Sequence, residues 1–277
     1  MSKKKKLRIG VTTFSKEIPF HQELEKGLYE EAKKQGDELI VYSGDNNHKK
    51  QAEQVKALIS EKVDAIVICP VDSKAIGKSI VEANKAGIPV FTADTTNMSE
   101  EGKVITYIAS DNLQGGKLAG RLLARAINYE GSVAVLTHPT ITSCLEREKG
   151  FTESIKSYPD IKLVSELPAL GSREEAKKAT EKLLSGNVKI NGLFAVSDES
   201  ALGALSAIEK SGKTEKMFIV GYDAIPEVKT AIAEGRIYAD VRQFPIKIGQ
   251  ETIKIVNEYF DGIKVPPVFF VEVGTWT

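Results

Sequence analysis

The sequence predicts an α/β fold with two lobes, each built on a parallel sheet. Short β-rich runs alternate with amphipathic helical patterns along the chain, and the alternation starts again after about residue 110. The apolar run at residues 65–69 is typical of a parallel strand that is covered on both faces. The length of 277 residues also fits about two domains of ordinary size.

The first half alternates strands and helices up to residue 110. Pro19 stands near the start of the first helix, where its fixed φ is tolerated, and Gly36 ends that helix. Asn46 and Asn47 predict a turn and a cap before the second helix, and the third helix is expected at residues 73–86. Strands are expected at residues 7–13, 38–42, 65–69, 89–93 and 104–109.

The second half repeats the scheme. Asp111 or Asn112 is placed to cap the helix that begins at about residue 113, and Pro245 opens a long helix that ends near residue 260. Strands are expected at residues 132–137, 161–165, 192–196, 217–221 and 237–241, with a final strand at 268–273. The similarity of the two halves is one of pattern, without a close internal sequence repeat.

Composition limits the possible functions. Lys plus Arg and Asp plus Glu both number 38, and this balance argues against a nucleic-acid-binding protein. No run has the ~18 apolar residues that a membrane-spanning helix needs. The lysine-rich start predicts a solvated tail and has no apolar segment after it, so we expect that any signal sequence was removed.

Catalytic and metal-binding motifs do not emerge from the sequence. It contains no G-x-G-x-x-G after a strand, no P-loop and no G-x-S-x-G elbow. The two cysteines and three histidines lack the spacing of a zinc site. His138 has no evident nucleophile as its partner. Asp94 and Asp223 could form a carboxylate pair for glycoside hydrolysis, but the sequence favours this role no more than ligand binding. We therefore expect no catalytic residues, no metal and no cofactor.

Polar side chains follow several of the predicted strands. Ligands of open α/β sheets bind beyond the carboxyl ends of the strands, where Asp94, Arg147 and Asp223 are expected. Helix capping explains these three poorly, because Arg147 lies about one turn inside a helix. For Ser197 and Asp198, capping and ligand binding both remain open.

An ordered set of motifs runs through nearly the whole chain. The set is Pro19-Phe20, Pro70-Val-Asp-Ser73, Ile88-Pro-Val90 before Asp94, Ile108-Ala-Ser-Asp-Asn112 with Gly115-Gly116, Glu146-Arg147 before Gly150-Phe151, Asp198-Glu199 before Ala201-Leu-Gly-Ala204, Val220-Gly-Tyr-Asp223 and Gln243. Together these motifs resemble the ribose/galactose-type periplasmic sugar-binding proteins, type I periplasmic binding proteins that share a lactose-repressor-like ligand-binding fold.

The resemblance implies two Rossmann-like lobes joined by three hinge crossings near Ser110, Gln243 and Pro266. The N-terminal lobe would then comprise residues 1–110 and 244–266, and the C-terminal lobe residues 111–243 and 267–277. It also implies a sugar between the lobes, trapped by hinge closure. Asp94, Arg147, Asp223 and Gln243 would hydrogen-bond to its hydroxyls. Phe20 would stack on its ring, although packing in the core explains Phe20 equally well.

The chain departs from the ribose-binding pattern of this family. Ile18 stands in place of Asn, His21 in place of a second aromatic, and Thr95 in place of Arg. The pattern also has a Phe near Gly171 and an Asn near Ser197. Missing hydrogen-bond donors beside buried hydroxyls are costly. We therefore expect a ligand other than ribose, recognised in part by His21, Thr95, Thr142 and Ser197.

We thus predict a non-enzymatic solute-binding protein for a monosaccharide or polyol, which delivers its ligand to the permease of an ABC transporter. We expect a monomer in the periplasm, or outside the cell on a lipid anchor, that does not bind nucleic acid. Two alternatives are kept. One is the ligand-sensing domain of a transcription regulator, chemoreceptor or sensor kinase for a sugar or furanosyl autoinducer. The other is a sugar-processing enzyme, which would need an acid–base pair near its substrate.

Overall fold

Two sheets organise the chain, and each belongs to one of two units. The structure is a computed structural model, and it describes residues 6–186, 189–212 and 217–277. The first unit comprises residues 1–110, 140–143 and 244–271, and the second comprises residues 111–139, 144–243 and 272–277. Most of the lysine-rich start, which we predicted to be a solvated tail, lies outside the described residues.

The sheet of the first unit is parallel throughout. Its strand order is 11-5-4-3-1-2 in chain numbering, and every neighbouring pair runs in the same direction. The central third and fourth strands are fully buried, as the apolar runs predicted. The strands are β1 (Arg8–Thr13), β2 (Glu38–Ser43), β3 (Ala65–Ile68), β4 (Val90–Ala93), β5 (Val104–Ser110) and β11 (Val268–Val271).

Helices α1 (Pro19–Gln35), α2 (His48–Ser60), α3 (Gly77–Lys85) and α9 (Pro245–Phe260) complete the first unit. The predicted end signals of α1 and α2 are confirmed. Gly36 adopts a left-handed φ of 81° after α1, and the Asn47 side chain accepts hydrogen bonds from two N–H groups of α2. The start of α3 was predicted four residues too early, because Asp72 first forms a turn by accepting from Lys74 N and Ala75 N.

The second unit repeats the architecture with one antiparallel edge. Its strand order is 12-10-9-8-6-7, and the pairs are parallel except that strand 12 runs antiparallel to strand 10. The predicted parallel sheets are thus confirmed, and the pairing of strands 10 and 12 is the one antiparallel contact among the pairs described here. The strands are β6 (Gly131–Thr137), β7 (Ile161–Pro168), β8 (Gly192–Ala195), β9 (Phe218–Asp223), β10 (Ala239–Arg242) and β12 (Gly274–Trp276).

The second unit contains the helices α4 (Asn112–Ala126), α5 (Thr142–Ile155) from residue 144 onward, α6 (Arg173–Ser185), α7 (Asp198–Ser211) and α8 (Pro226–Ala233). Asp111 caps α4 by accepting a hydrogen bond of 3.0 Å from Gln114 N, as the sequence predicted. Within the described residues, no helix combines the length and the apolar composition that a bilayer crossing requires.

The last predicted strand, residues 268–273, corresponds to β11, and a further strand that was not predicted, β12, follows it and joins the other sheet. β11 pairs with β5 in the first unit, whereas β12 pairs with β10 in the second. Residues 267–271 therefore belong to the first unit. The lobe boundary predicted from the sequence had placed them in the second. Residues 140–143 also join the first unit, where Ser73 N donates to Thr140 O at 2.9 Å.

Candidate functional site

Three predicted site residues of the second unit lie together. Arg147 is on α5, Asp223 ends β9, and Gln243 directly follows β10. Gln243 Nε2 donates to Asp223 Oδ1 at 2.6 Å, and Arg147 Nη1 lies 3.5 Å from the same oxygen. Charged or polar groups from three elements thus meet at one carboxylate beyond the carboxyl ends of the strands.

Arg147 is held in one orientation by further contacts. Its Nε donates to Asn112 Oδ1 and its Nη1 to Val196 O, both at 2.8 Å. The guanidinium carbon lies 3.9 Å from the centre of the Tyr222 ring, a cation–π distance. Because the residue is only 4% exposed, these contacts compensate a charge that is almost fully buried.

The close approach of α4 and α5 explains the position of Arg147. A Cβ atom on Gly116 would lie 2.0 Å from Arg147 O, and one on Gly150 would lie 2.0 Å from Leu113 O. Only glycine allows the two helix backbones to come so near. A Cβ atom on Gly115 would lie 2.0 Å from Tyr222 Oη, so this glycine makes room for the ring beneath the guanidinium.

Sequence reasoning missed the roles of Asn112 and Tyr222 beside Arg147. We weighed Asn112 as a helix cap, whereas its side chain accepts from Arg147 Nε and lies 3.4 Å from Tyr222 Oη. Both residues stand inside the motifs that carry the family resemblance, and that was the available signal. Burial raises the pKa of Tyr222, so its hydroxyl stays protonated.

Asp223 occupies an unusual backbone position. Its φ is 130° and that of Ala224 is 59°, values that side-chain-bearing residues rarely adopt. Burial raises the pKa of Asp223, while the charge of Arg147, the hydrogen bond from Gln243 and the backbone N–H of Asp198 lower it. The carboxylate is therefore a partly desolvated acceptor, surrounded by donors.

Gln243 presents a buried side-chain oxygen that no described residue satisfies. Its Nε2 faces Asp223, which fixes Oε1 on the other side of the amide. That Oε1 is buried and accepts no hydrogen bond from the described residues. A buried carbonyl oxygen of this kind costs free energy unless a donor reaches it, and a ligand hydroxyl is a suitable donor.

Asp94, in the first unit, follows β4 in a left-handed conformation. Its φ is 68°, its N–H donates to Ile108 O at 2.8 Å, and its carbonyl accepts from Tyr107 Oη at 3.2 Å. The residue is 7% exposed. The backbone of Asp94 is thus fixed to β5 at the carboxyl end of the sheet.

Thr95 and Thr142, also in the first unit, contact each other. Their hydroxyl oxygens are 2.6 Å apart, and Thr95 Oγ1 lies 3.3 Å from Ser73 Oγ. Thr142 Oγ1 also accepts from Thr96 N at 2.9 Å. These bonds attach residues 140–143 to the unit, which gives both threonines a structural role.

Phe20 and His21 open helix α1 and are both buried. Phe20 is 6% exposed and packs in the apolar core of the first unit, which supports the core-packing interpretation. The His21 ring stacks on Phe14, with 5.3 Å between ring centres and an interplanar angle of 2°, and meets Phe20 edge-on. Phe14 is an aromatic neighbour that sequence reasoning passed over.

Ser197 and Asp198 differ in their roles. Ser197 is the N-cap of α7, and its hydroxyl accepts from Ser200 N at 3.4 Å. The buried Asp198 side chain instead accepts from the backbone of another segment, at Tyr222 N and Ile225 N. Capping thus accounts for Ser197 and not for Asp198.

Comparison with known proteins gives one consistent family. Residues 9–264 match the profile of the periplasmic binding protein domain. The ribose import binding protein RbsB of Bacillus subtilis is 35% identical over 95% of this chain and 84% of its own length.

Solved structures show the same fold over nearly the whole chain. An ABC transporter periplasmic solute-binding protein from Actinobacillus succinogenes with bound D-allose superposes with a TM-score of 0.88 at 30% identity, covering 98% of this chain and 97% of its own. The fructose-binding periplasmic domain of a hybrid two-component system gives a TM-score of 0.89 at 26% identity, covering 97% and 90%.

Proposed function

This chain belongs to the periplasmic binding protein family, and we propose that it binds a monosaccharide or polyol for import by an ABC transporter. Its relatives are binding proteins named for import, which argues against the sugar-processing enzyme considered from the sequence. Binding proteins of this family are periplasmic or extracellular, and we propose the same location for this chain. Docking on a permease, a monomeric state and a lipid anchor remain parts of the proposal.

The observation that carries the proposal is the cluster of Arg147, Asp223 and Gln243. A sugar hydroxyl donates one hydrogen bond and accepts others. Asp223 offers a carboxylate acceptor, and Gln243 offers a buried Oε1 that accepts no hydrogen bond from the part of the chain that the structure describes. Hydrogen bonds to charged groups are the stronger kind, and we expect a micromolar dissociation constant, about −8 kcal/mol.

A second set of ligand contacts in the first unit stays a prediction of the family resemblance. Asp94 would accept from hydroxyls, with Phe20, His21, Thr95 and Thr142 nearby. In the structure Thr95 and Thr142 bond to each other and Phe20 packs in the core, which makes Asp94 the sharper test. We expect Asp94→Asn to weaken sugar binding at least about tenfold, the effect of losing one charge-assisted hydrogen bond.

The decisive experiment combines a ligand screen with variants. Melting temperatures are measured with pentoses, hexoses, deoxy sugars and polyols, among them D-ribose, D-allose and D-fructose. A ligand present at 1,000 times its Kd stabilises the protein by about 4 kcal/mol, which corresponds to roughly 10 °C. Because the chain departs from the ribose-binding pattern, we expect a ligand other than D-ribose to give the largest shift.

Calorimetry then tests the site with the ligand that the screen selects. Asp223→Asn and Gln243→Leu each remove one hydrogen-bonding function, and we expect at least tenfold weaker binding for each. Asp160→Asn is the matched control, because Asp160 is exposed in the same unit and lies before β7. Parent-like affinity in both site variants would disprove the assignment.

Sensing is the second candidate function, favoured by the similarity to the periplasmic domain of a hybrid two-component system. Deleting the gene separates the two functions. If the protein serves import, the deletion abolishes uptake of the radiolabelled ligand. If the protein serves sensing, the deletion leaves uptake intact and abolishes the transcriptional response to that ligand.

A further inference from the structure

The turn that carries Asp223 adopts a backbone conformation that needs support. Asp223 and Ala224 have φ values of 130° and 59°. Residues in such regions cost of order 1–3 kcal/mol each and persist only where their surroundings hold them. The source of that support lies outside the residues assigned to the ligand.

Two buried carboxyl groups hold this turn by its N–H groups. Asp198 Oδ1 accepts from Tyr222 N at 3.2 Å, and Asp198 Oδ2 accepts from Ile225 N at 2.7 Å. Asp240 Oδ1 accepts from Ala224 N at 2.9 Å. Both aspartates are fully buried and come from different elements, α7 and β10.

The remaining oxygen of Asp240 faces the Asp198 carboxyl. A Cβ atom on Gly221 would lie 2.3 Å from Asp240 Oδ2 and 2.7 Å from Asp198 Oδ1, so both oxygens converge above this glycine. Asp240 Oδ2 has no donor among the described residues. Two buried carboxylates facing each other would repel, whereas one shared proton turns the contact into a hydrogen bond.

The charged groups around the pair favour retention of that proton. Burial, with the negative charge of Asp223, raises the pKa of Asp240 to about 7, and burial with the charge of Asp240 raises the pKa of Asp198. The cations on neighbouring elements are engaged elsewhere, since Arg242 and Lys229 lie over the Trp276 ring and Arg147 contacts Asp223. Glu199, on α7, adds to the negative charge near Asp223.

We infer that Asp198 and Asp240 share one proton and act as positioning residues, which hold the turn at residues 222–225 so that Asp223 faces the ligand. Neither is among the residues assigned to ligand contact. The part of this inference that concerns affinity rests on the proposed function, whereas the part that concerns the turn does not.

The test compares Asp240→Asn with Asp240→Ala. Asparagine keeps the oxygen that accepts from Ala224 N, and its amide donates to Asp198 in place of the shared proton. Alanine removes both. Gln54→Ala serves as a control for general destabilisation, because Gln54 donates to Ser43 O in the first unit.

The first readout needs no ligand and is amide hydrogen exchange of Ala224 and Ile225, followed by NMR. We expect at least tenfold faster exchange of these two amides in Asp240→Ala and parent-like exchange in Asp240→Asn. In the parent, protection should fall by up to about tenfold per pH unit from about pH 5 to about pH 7, because the folded pair holds a proton that the open form releases. Asp240→Asn should show a weaker dependence.

Parent-like exchange in Asp240→Ala, or carboxyl carbon resonances of Asp198 and Asp240 that both titrate near pH 4, would overturn the inference. The second readout is calorimetry with D-ribose and D-allose, for which we expect at least tenfold weaker binding in Asp240→Ala and less than about threefold change in Asp240→Asn. If one of these sugars binds the parent, Asp240→Asn and Asp240→Ala with equal affinity, that result would also overturn the inference. If neither sugar binds the parent, the proposed function is put in doubt and the exchange data still decide the role of the pair.

Discussion

Replacing Arg147 by lysine tests whether the site depends on the forked geometry of the guanidinium donors or on the positive charge alone. Arg147 donates to Asn112 Oδ1 and Val196 O at 2.8 Å and lies 3.5 Å from Asp223 Oδ1. A lysine ammonium carries its donors at one point and has none at the position of Nε. It therefore keeps the charge and loses the bond to Asn112.

The expected cost follows from these contacts. One buried acceptor left without its donor costs about 1–3 kcal/mol. Loss of the guanidinium contact with the Tyr222 ring, now at 3.9 Å, adds up to about 1 kcal/mol. We expect the free energy of unfolding of Arg147→Lys to fall by about 1–4 kcal/mol, and sugar binding to weaken by about ten- to a hundredfold.

Urea unfolding and calorimetry measure the two effects. Arg125→Lys is the matched control, because Arg125 is exposed on α4 and the same change there should alter stability by less than about 0.5 kcal/mol. If Arg147→Lys matches this control in both stability and affinity, the guanidinium geometry has no role and the reasoning fails.

Three further predictions concern packing, pH and reactivity. Gly116→Ala should destabilise the protein by about 1–3 kcal/mol in urea unfolding, since its Cβ would lie 2.0 Å from Arg147 O; an unchanged midpoint would contradict the close helix approach. The free energy of unfolding should decrease from about pH 5 to about pH 7, because the raised pKa of Asp240 gives stability that is lost as the pH rises through about 7. Asp240→Asn should reduce the slope of this decrease. Equal slopes in the parent and the variant would count against the shared proton. Burial raises the pKa of the Cys69 thiol well above its usual range. Iodoacetamide should therefore leave Cys69 unmodified in the native protein at pH 8 and modify it in urea. Rapid modification of Cys69 in the native protein would refute its burial.

Much of the fold was predictable because its signals are local. Alternating patterns located the strands and helices, and single residues such as Pro19, Asn47 and Asp111 fixed helix starts. Strand β12 was not predictable, because it has only three residues, 274–276, directly after the β-rich run at 268–273. Which sheet β11 and β12 join depends on pairing with β5 and β10, far away in the sequence.

The candidate site was predictable at its charged residues and not at their supports. Arg147, Asp223 and Gln243 were expected to act together, and the structure brings these three into contact. Asn112 and Tyr222 were missed because their contacts with Arg147 join residues far apart in the chain. Asp240 was missed because an aspartate inside a strand pattern gives no sign that it is buried against a second carboxyl group.

The most direct test of the central claim is a crystal structure of the protein with the sugar that stabilises it most. We predict a sugar hydroxyl oxygen within about 3 Å of the Asp223 carboxylate and another at a similar distance from Gln243 Oε1. A bound sugar that leaves Arg147, Asp223 and Gln243 without contact would contradict the account.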